Sequence, residues 1–197
     1  DQPHQHAGRW ARARIRLADL PKHLRAGVAL AGAVPRIRRR YRELVAQDAG
    51  APASFAWPEP GVALRPWPEN PQALLAAFDR LGARRAMIRL HPWQASHDEE
   101  WELARALAGR GVELAFTLPQ NRELVRDPAR WEAAITELAR RFVPLGRRFQ
   151  IGQAINRSKW GIWNYDEYLE LAAVAAEILR GHSNGGAVEL GGPAVID

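Results

Sequence analysis

From residue 61 onward, the sequence predicts an α/β fold built on a parallel sheet. Short apolar stretches alternate there with longer stretches of helical periodicity. Polar residues of the kind that cap helices, some followed by proline, stand where the longer stretches begin. The apolar stretches start near residues 61, 86, 112, 149 and 187. This repeat of βα units is typical of parallel sheets covered by helices.

Each element follows from a local pattern. A strand is predicted at each short apolar stretch that alternates with a helical stretch. A helix start is predicted at Asn or Asp before proline, and at the spacing of a capping box. The predicted strands are Gly61–Leu64, Ala86–Leu90, Val112–Leu118, Phe149–Ile155 and Ala187–Ile196. The predicted helix starts are Asn70-Pro71, Ser96 with Glu99, Asp127-Pro128, and Asn164 with Glu167, whose helix runs through Leu179.

The first quarter of the chain differs from the rest in charge. Residues 1–47 hold eleven basic and three acidic side chains, whereas the net charge of the whole chain is +6, so the remainder is slightly acidic. Residues 11–17 alternate between apolar side chains and arginine, which predicts a strand. Residues 22–46 predict a helix with a kink or a break at Pro35.

Residues 48–60 contain glycine and several prolines, and they predict a linker. We therefore divide the chain into a basic, partly helical N-terminal segment with its linker, 1–50, and a β/α domain, 51–197. A complete eight-unit barrel takes about 250 residues. The second domain has room for about the first five βα units, so we expect strands six to eight to lie outside this chain.

Composition excludes several classes of protein. The 197 residues are 47% hydrophobic and 25% charged, as in ordinary globular proteins. The absence of cysteine excludes disulfides, thiol catalysis and iron–sulfur clusters, and it fits a reducing compartment. No apolar run is long enough for a transmembrane helix. The apolar run at 27–34 is followed by Pro35 and arginines, not by a cleavage site, so we predict a cytoplasmic protein.

Two architectures fit a parallel sheet, an open doubly wound sheet and a (β/α)8 TIM barrel. The turn after the first strand, Leu64–Pro68, is not rich in glycine, and no dinucleotide or P-loop motif occurs. The predicted strands are instead followed by Trp, Arg, His, Asn and Gln. Because barrel enzymes place their sites on loops at the carboxyl ends of the strands, this pattern favours the TIM-barrel type.

The segment from 149 to 168 has the most distinctive pattern. It reads Phe149-Gln150-Ile151-Gly152-Gln153-Ala154-Ile155-Asn156-Arg157, then Trp160-Gly161, Trp163 and a helix that opens with Tyr165 and Tyr168. This resembles the fourth strand and the following loop of the glycoside hydrolases of the large retaining (β/α)8 clan. Leu190–Ala194 resembles the clan's fifth strand. The resemblance covers residues 61–197 and implies a glycosidase-like barrel.

The resemblance also implies a departure at the acid/base position. The clan carries Asn-Glu-Pro where this chain has Gln153, Ala154 and Ile155, whereas Asn156 matches. Alanine cannot transfer a proton, and retaining hydrolysis needs two carboxylates. We find no other acid at the expected ends of strands one to four, which leaves Asp197 as the candidate within the chain. The catalytic residues are therefore left unassigned.

The residues that follow the predicted strands suit a saccharide site. Tryptophan faces stack on sugar rings, and Arg, Asn, Gln and His make directed hydrogen bonds to hydroxyls. The same tryptophans are equally explained by core packing, Arg89 by an ion pair, and His91 by a structural hydrogen bond. The candidate substrate-binding residues are Arg65, Trp67, Arg89, His91, Trp93, Asn121, Gln153, Asn156, Trp160 and Trp163.

We therefore expect a saccharide-binding domain of bacterial polysaccharide or cell-envelope metabolism, with little or no hydrolysis. One alternative is an active glycosidase that uses Asp197 or residues beyond this chain. The other is a non-catalytic scaffold whose arginine-rich segment docks a partner domain or an anionic surface. His91 and His97 lack surrounding carboxylates, so no metal is predicted, and no cofactor or nucleic acid is expected.

Overall fold

A computed structural model describes residues 8–49, 61–183 and 186–195. The described residues fall into two compact units, one within 8–49 and one from 61 onward. The predicted linker lies for the most part outside the described residues, as does the candidate acid Asp197.

The first unit consists of two helices, α1 (Arg9–Ala18) and α2 (Leu20–Ala49). The strand predicted over 11–17 is wrong, because this segment lies in α1. Ala, Arg and Leu are among the strongest helix formers, and their propensity outweighs an alternation that rests largely on small alanines. Pro35 lies inside α2 rather than at a break. Among the described helices, none is both long and apolar enough to cross a membrane.

The second unit contains a five-stranded sheet in which the strands follow the chain order. Every neighbouring pair is parallel. The α/β class with a parallel sheet is therefore confirmed, and these five strands contain no switch point. The strands are β1 (Gly61–Leu64), β2 (Arg85–Arg89), β3 (Glu113–Leu118), β4 (Arg148–Ile151) and β5 (Glu189–Gly191).

Two strands end earlier than predicted. Gly152 follows β4 with a φ of 89°, a left-handed conformation that leaves the extended path of the strand. β5 stops at Gly191, ahead of Gly192 and Pro193, and the pairing resumes as an isolated bridge between Gln153 and Ala194. The irregular backbone at these two ends therefore lies at the carboxyl edge of the sheet.

Five α-helices connect the strands of the second unit, two of them between β3 and β4, and three begin at their predicted caps. The side chains of Asn70, Asp127 and Asn164 accept hydrogen bonds from backbone N–H groups of the first turn, at 3.0–3.1 Å. The helix start predicted at the capping box of Ser96 is one residue too early, because His97 is the N-cap of α4. The Ser96 hydroxyl nevertheless accepts a hydrogen bond from the Asp98 N–H in the first turn. The helices are α3 (Pro71–Leu81), α4 (Asp98–Ala108), α5 (Arg122–Arg126), α6 (Pro128–Phe142) and α7 (Tyr165–Gly181).

One face of the sheet packs against these helices and forms the core. Alternate strand residues such as Ile88, Phe116 and Phe149 are buried there together with helix residues such as Ile135 and Leu179. Each large apolar side chain that is fully buried contributes about 1.5–3 kcal/mol. Among the residues that alternate with them on the opposite face, Met87 and Arg89 are exposed, whereas Thr117 is buried. The sheet therefore presents one face that the core does not cover.

Candidate functional site

A concavity of about 460 Å³ lies on the second face of the sheet, at the carboxyl ends of β1 to β4. Met87 and Thr117 line it from β2 and β3. Four of the ten candidate residues also line it, namely Arg65, Arg89, His91 and Gln153. Side chains from separate strands meet there because the carboxyl ends of parallel strands share one edge of the sheet.

The two arginines of the concavity are free to meet a ligand. Arg65 and Arg89 are exposed, and neither forms an ion pair or a hydrogen bond with any residue that the structure describes. Arg89 ends β2, and its neighbour in β3 is the uncharged Thr117. The alternative interpretation of Arg89 as half of a structural ion pair therefore has no support among the described residues.

Three glutamates line the same concavity, and the sequence analysis missed them. Glu69 follows β1, and Glu99 and Glu100 lie in the first turn of α4. The expectation that no acid stands near the ends of strands one to four is therefore wrong. Strand-end spacing fails to detect these residues because helix starts, and not only strand ends, border the concavity. The available signal was the run of acids 98–100 at the predicted start of the second helix.

His91 is neutral at pH 7. Burial, with a contribution from the nearby Arg89 guanidinium, lowers the pKa of His91 from 6.5 to about 4. Its ring lies 5.0 Å from the ring of Trp93, centroid to centroid. The Nε2 atom of His91 is buried and has no hydrogen-bond partner among the described atoms. A neutral imidazole offers one donor and one acceptor, so it suits a hydroxyl ligand.

Gln120 positions the backbone of Gln153. Its buried side-chain amide donates to the carbonyl oxygens of Gln153 at 2.9 Å and of Trp160 at 3.0 Å. Its side-chain oxygen accepts from the Gln153 N–H at 2.9 Å. Because all three bonds are made inside the protein, they fix the loop that follows β4 against the end of β3.

Ala154 lies beside the concavity but does not line it. Its side chain is fully buried, and its φ of 47° is uncommon for a residue other than glycine. Gln153, the preceding residue, is the one that lines the concavity. A carboxylate at 154 would have to enter a buried position with a left-handed backbone.

The other six candidate residues are not among those lining the concavity. Asn121 is buried and caps α5 by accepting from the Leu124 N–H at 2.9 Å. Trp160 is 2% exposed, and the face of Trp163 lies 3.6 Å from the Arg122 guanidinium. Trp93 is half-buried, packs against the core and contacts His91. Trp67 lines a separate groove formed with α3 and α4, and Asn156 is exposed.

The described residues contain no group of three or more His, Asp or Glu side chains arranged to hold a metal ion. The concavity is instead lined by two cations, three carboxylates, a neutral imidazole, two amides and a hydroxyl. Such a set of donors and acceptors suits a polar organic ligand. No protein-family model and no curated protein matches the chain.

Proposed function

We propose that the second unit is a glycoside-hydrolase-like saccharide-binding domain of the (β/α)8 TIM-barrel type, contributing five βα units. The observation that carries the proposal is the concavity at the carboxyl ends of four consecutive parallel strands. Barrel sites lie at this end of the sheet. The resemblance of residues 149–168 to the glycosidase clan supports the same assignment and suggests bacterial polysaccharide or cell-envelope metabolism.

The chemistry of the concavity fits a saccharide. Sugar hydroxyls both donate and accept hydrogen bonds, so a binding site needs both kinds of group. Arg65 and Arg89 donate, the glutamates accept, and Gln153 and Thr117 do both. The volume of about 460 Å³ lies within the range of small-molecule sites.

Binding without hydrolysis is the expected behaviour. Ala154 cannot supply the proton that leaves with the aglycone, and general acid catalysis typically contributes about 10²–10⁴-fold to such rates. The buried position of residue 154 makes a carboxylate there costly. We therefore expect the protein to bind oligosaccharides while hydrolysing unactivated glycosides slowly or not at all.

Isothermal titration of the full chain with a panel of oligosaccharides tests this proposal. We expect Arg89→Ala to weaken the binding of the best oligosaccharide about tenfold or more, because a charge-assisted hydrogen bond to the sugar is lost. Arg85→Ala is the matched control, since Arg85 lies on the same strand and face but at its amino end. Absence of saccharide binding at millimolar concentration, or equal effects of the two variants, would contradict the proposal.

The glutamates of the concavity favour a second candidate, an active glycosidase. Glu99 and Glu100 line the same space as Arg89, and Glu100 is 8% exposed. A buried carboxyl group can serve as a general acid. Turnover of aryl glycosides that is lost in Glu99→Gln or Glu100→Gln, and kept in Glu102→Gln as a control, would support hydrolysis over binding alone.

A further inference from the structure

The first unit exposes an apolar stripe along α2. Leu30, Val34, Ile37, Tyr41 and Leu44 recur at intervals of four and three residues, so they lie along one side of the helix. Apart from the half-buried Val34, these side chains are 44–67% exposed. The helix is 30 residues long, or about 45 Å. It therefore offers a long apolar surface that the rest of its own unit leaves exposed.

Arginines border this stripe on both sides. Arg38 and Arg40 occupy the helix positions that flank it, and three further arginines at 36, 39 and 42 follow the same turns. Glu43 is the acid of this stretch, and it lies 3.6 Å from Arg39 and 3.4 Å from Arg40. Residues 8–49 carry eleven basic and three acidic side chains, so the surface is apolar in the centre and strongly positive around it.

Exposed apolar side chains also extend beyond the stripe. Trp10 and Leu17 of α1 are 79% and 73% exposed, and Leu24 and Val28 of α2 are also exposed. Four arginines of α1 accompany them. A single partner helix covers a narrow seam of one residue in three or four. Leu24 and Val28 lie on other sides of α2 than the stripe, so the exposed apolar side chains of this unit are spread over more of its surface than one such seam covers.

We propose that α1 and α2 bind the surface of an anionic lipid bilayer. Interfacial helices insert their apolar side chains at the boundary of the acyl chains, while their basic side chains bind anionic headgroups. Trp10 and Tyr41 belong to the residue types that favour this boundary.

Charge and polarity argue against other occupants. A parallel second copy of α2 would bring a second group of five arginines, 36, 38, 39, 40 and 42, beside the first, which is repulsive. A nucleic acid would leave Leu30, Ile37 and Leu44 in water while it neutralised the arginines. A bilayer satisfies both parts of the surface.

Flotation of the full chain with phospholipid vesicles tests this proposal. We expect binding to vesicles of phosphatidylcholine with 30% phosphatidylserine to exceed binding to pure phosphatidylcholine at least tenfold, and to fall as NaCl rises from 0.05 to 0.5 M, because salt screens the attraction. Equal binding to both vesicle types, or none to either, would overturn the proposal.

Two pairs of variants separate the apolar and the basic contributions. Ile37→Ser with Leu44→Ser, and separately Arg38→Gln with Arg40→Gln, are each expected to reduce vesicle binding at least tenfold. The matched controls lie on the second unit at exposed positions, Leu81→Ser with Leu169→Ser and Arg110→Gln with Arg130→Gln, and they are expected to leave binding unchanged. Circular dichroism checks that helix content is kept.

The remaining outcomes are also decisive. A dimer in light scattering without lipid, abolished by Ile37→Ser with Leu44→Ser, would assign the surface to a second copy and overturn the proposal. Binding to an acidic amphipathic peptide with no binding to vesicles would assign it to a protein helix instead. Saccharide binding by the second unit is measured separately, so failure here leaves the proposed function intact.

Discussion

The two ends of the uncovered sheet face differ in how their charged side chains are paired. At the amino end, Arg85 lies 2.8 Å from Glu113, and Arg148 contacts both Glu113 and, at 2.7 Å, Glu189. These four side chains form an alternating ladder across β2 to β5. At the carboxyl end, Arg89 has no ion pair with a described carboxylate. The arginines at the amino end are neutralised by ion pairs within the sheet, whereas Arg89 at the carboxyl end is available to a ligand.

Strand register creates this difference. Arg85 and Arg89 lie four residues apart on the same face of β2. Arg85 is paired in register with Glu113, whereas Arg89 is paired with Thr117. Binding sites commonly retain groups that the folded protein alone does not satisfy, at some cost in stability. The unpaired end is therefore where ligand binding is expected, and the paired end serves the structure.

The two ends also differ in backbone strain. Glycines with positive φ angles occur at both ends, Gly82 and Gly111 in the turns before β2 and β3, and Gly152 and Gly161 in the loop after β4. Among the described residues, Ala154 in that loop is the one residue other than glycine with a positive φ, of 47°. Such a conformation costs about 1–3 kcal/mol where a side chain is present, and it clusters at functional sites.

The largest effect on stability is expected at Gly161, where the loop after β4 packs closely against the start of α5. A Cβ at Gly161 would lie 2.4 Å from the Arg122 backbone nitrogen, at a φ of 89°. We expect Gly161→Ala to lower the free energy of unfolding by about 3 kcal/mol, measured by urea denaturation. Gly192→Ala is the control, since no atom lies within 4 Å of its added Cβ. A wild-type midpoint for Gly161→Ala would show that this loop adapts freely.

A smaller effect is expected on the pH dependence of the free energy of unfolding, through His91 at the carboxyl end. The pKa of His91 is about 4 in the folded protein against 6.5 as its ordinary value, because burial opposes its protonation. Between these values the unfolded chain binds more protons, so stability falls as pH falls from 6.5 to 4. We expect His91 to contribute about 2 kcal/mol to that loss, after allowance for solvent screening.

Urea denaturation at pH 4 to 7 measures this contribution. His91→Gln is expected to remove it, whereas His182→Gln, a half-buried histidine at the end of α7, keeps it. An NMR titration of the His91 ring gives the pKa directly. A titration midpoint near 6.5 would show that the ring is as well solvated as in the unfolded chain.

The smallest effect is expected when one arginine from each end of the sheet face is replaced and the Tm values are compared. Arg148→Ala leaves the carboxylates of Glu113 and Glu189 without the guanidinium between them, so we expect Tm to fall by about 2–4 °C. The fall is modest because Arg148 is 41% exposed. Arg89→Ala is expected to leave Tm unchanged or raise it, since it removes a cation that no described carboxylate neutralises. A larger loss of Tm for Arg89→Ala than for Arg148→Ala would reverse the comparison.

The strands and three helix starts were predictable because they depend on neighbours in the chain. Asn70, Asp127 and Asn164 cap helices through bonds that span three residues, and the apolar strand residues carry their own periodicity. The short helix α5 was missed because five residues are too few to show a helical period. Helix α1 was missed because its alanines are compatible both with the two-residue period of a strand and with the 3.6-residue period of a helix.

The candidate site was less predictable. Four of the ten predicted residues line the concavity, and these lie at the ends of β1, β2 and β4 or within two residues after them. Asn121, Trp160 and Trp163 also follow strands, yet they cap, pack and stack within the protein. Whether a residue beside a strand end faces a ligand or a neighbouring loop depends on the path of that loop, which local sequence leaves open.

By itself, the sequence determined the parallel α/β class, the positions of the strands and the basic character of the first quarter. The tertiary structure alone decided that Arg85 is paired while Arg89 has no ion pair among the described residues. It also decided that Glu69, Glu99 and Glu100 border the same space and that residue 154 is buried. The physical reason is distance along the chain. Periodicity and capping act over a few residues, whereas register and loop packing join residues that lie tens of positions apart.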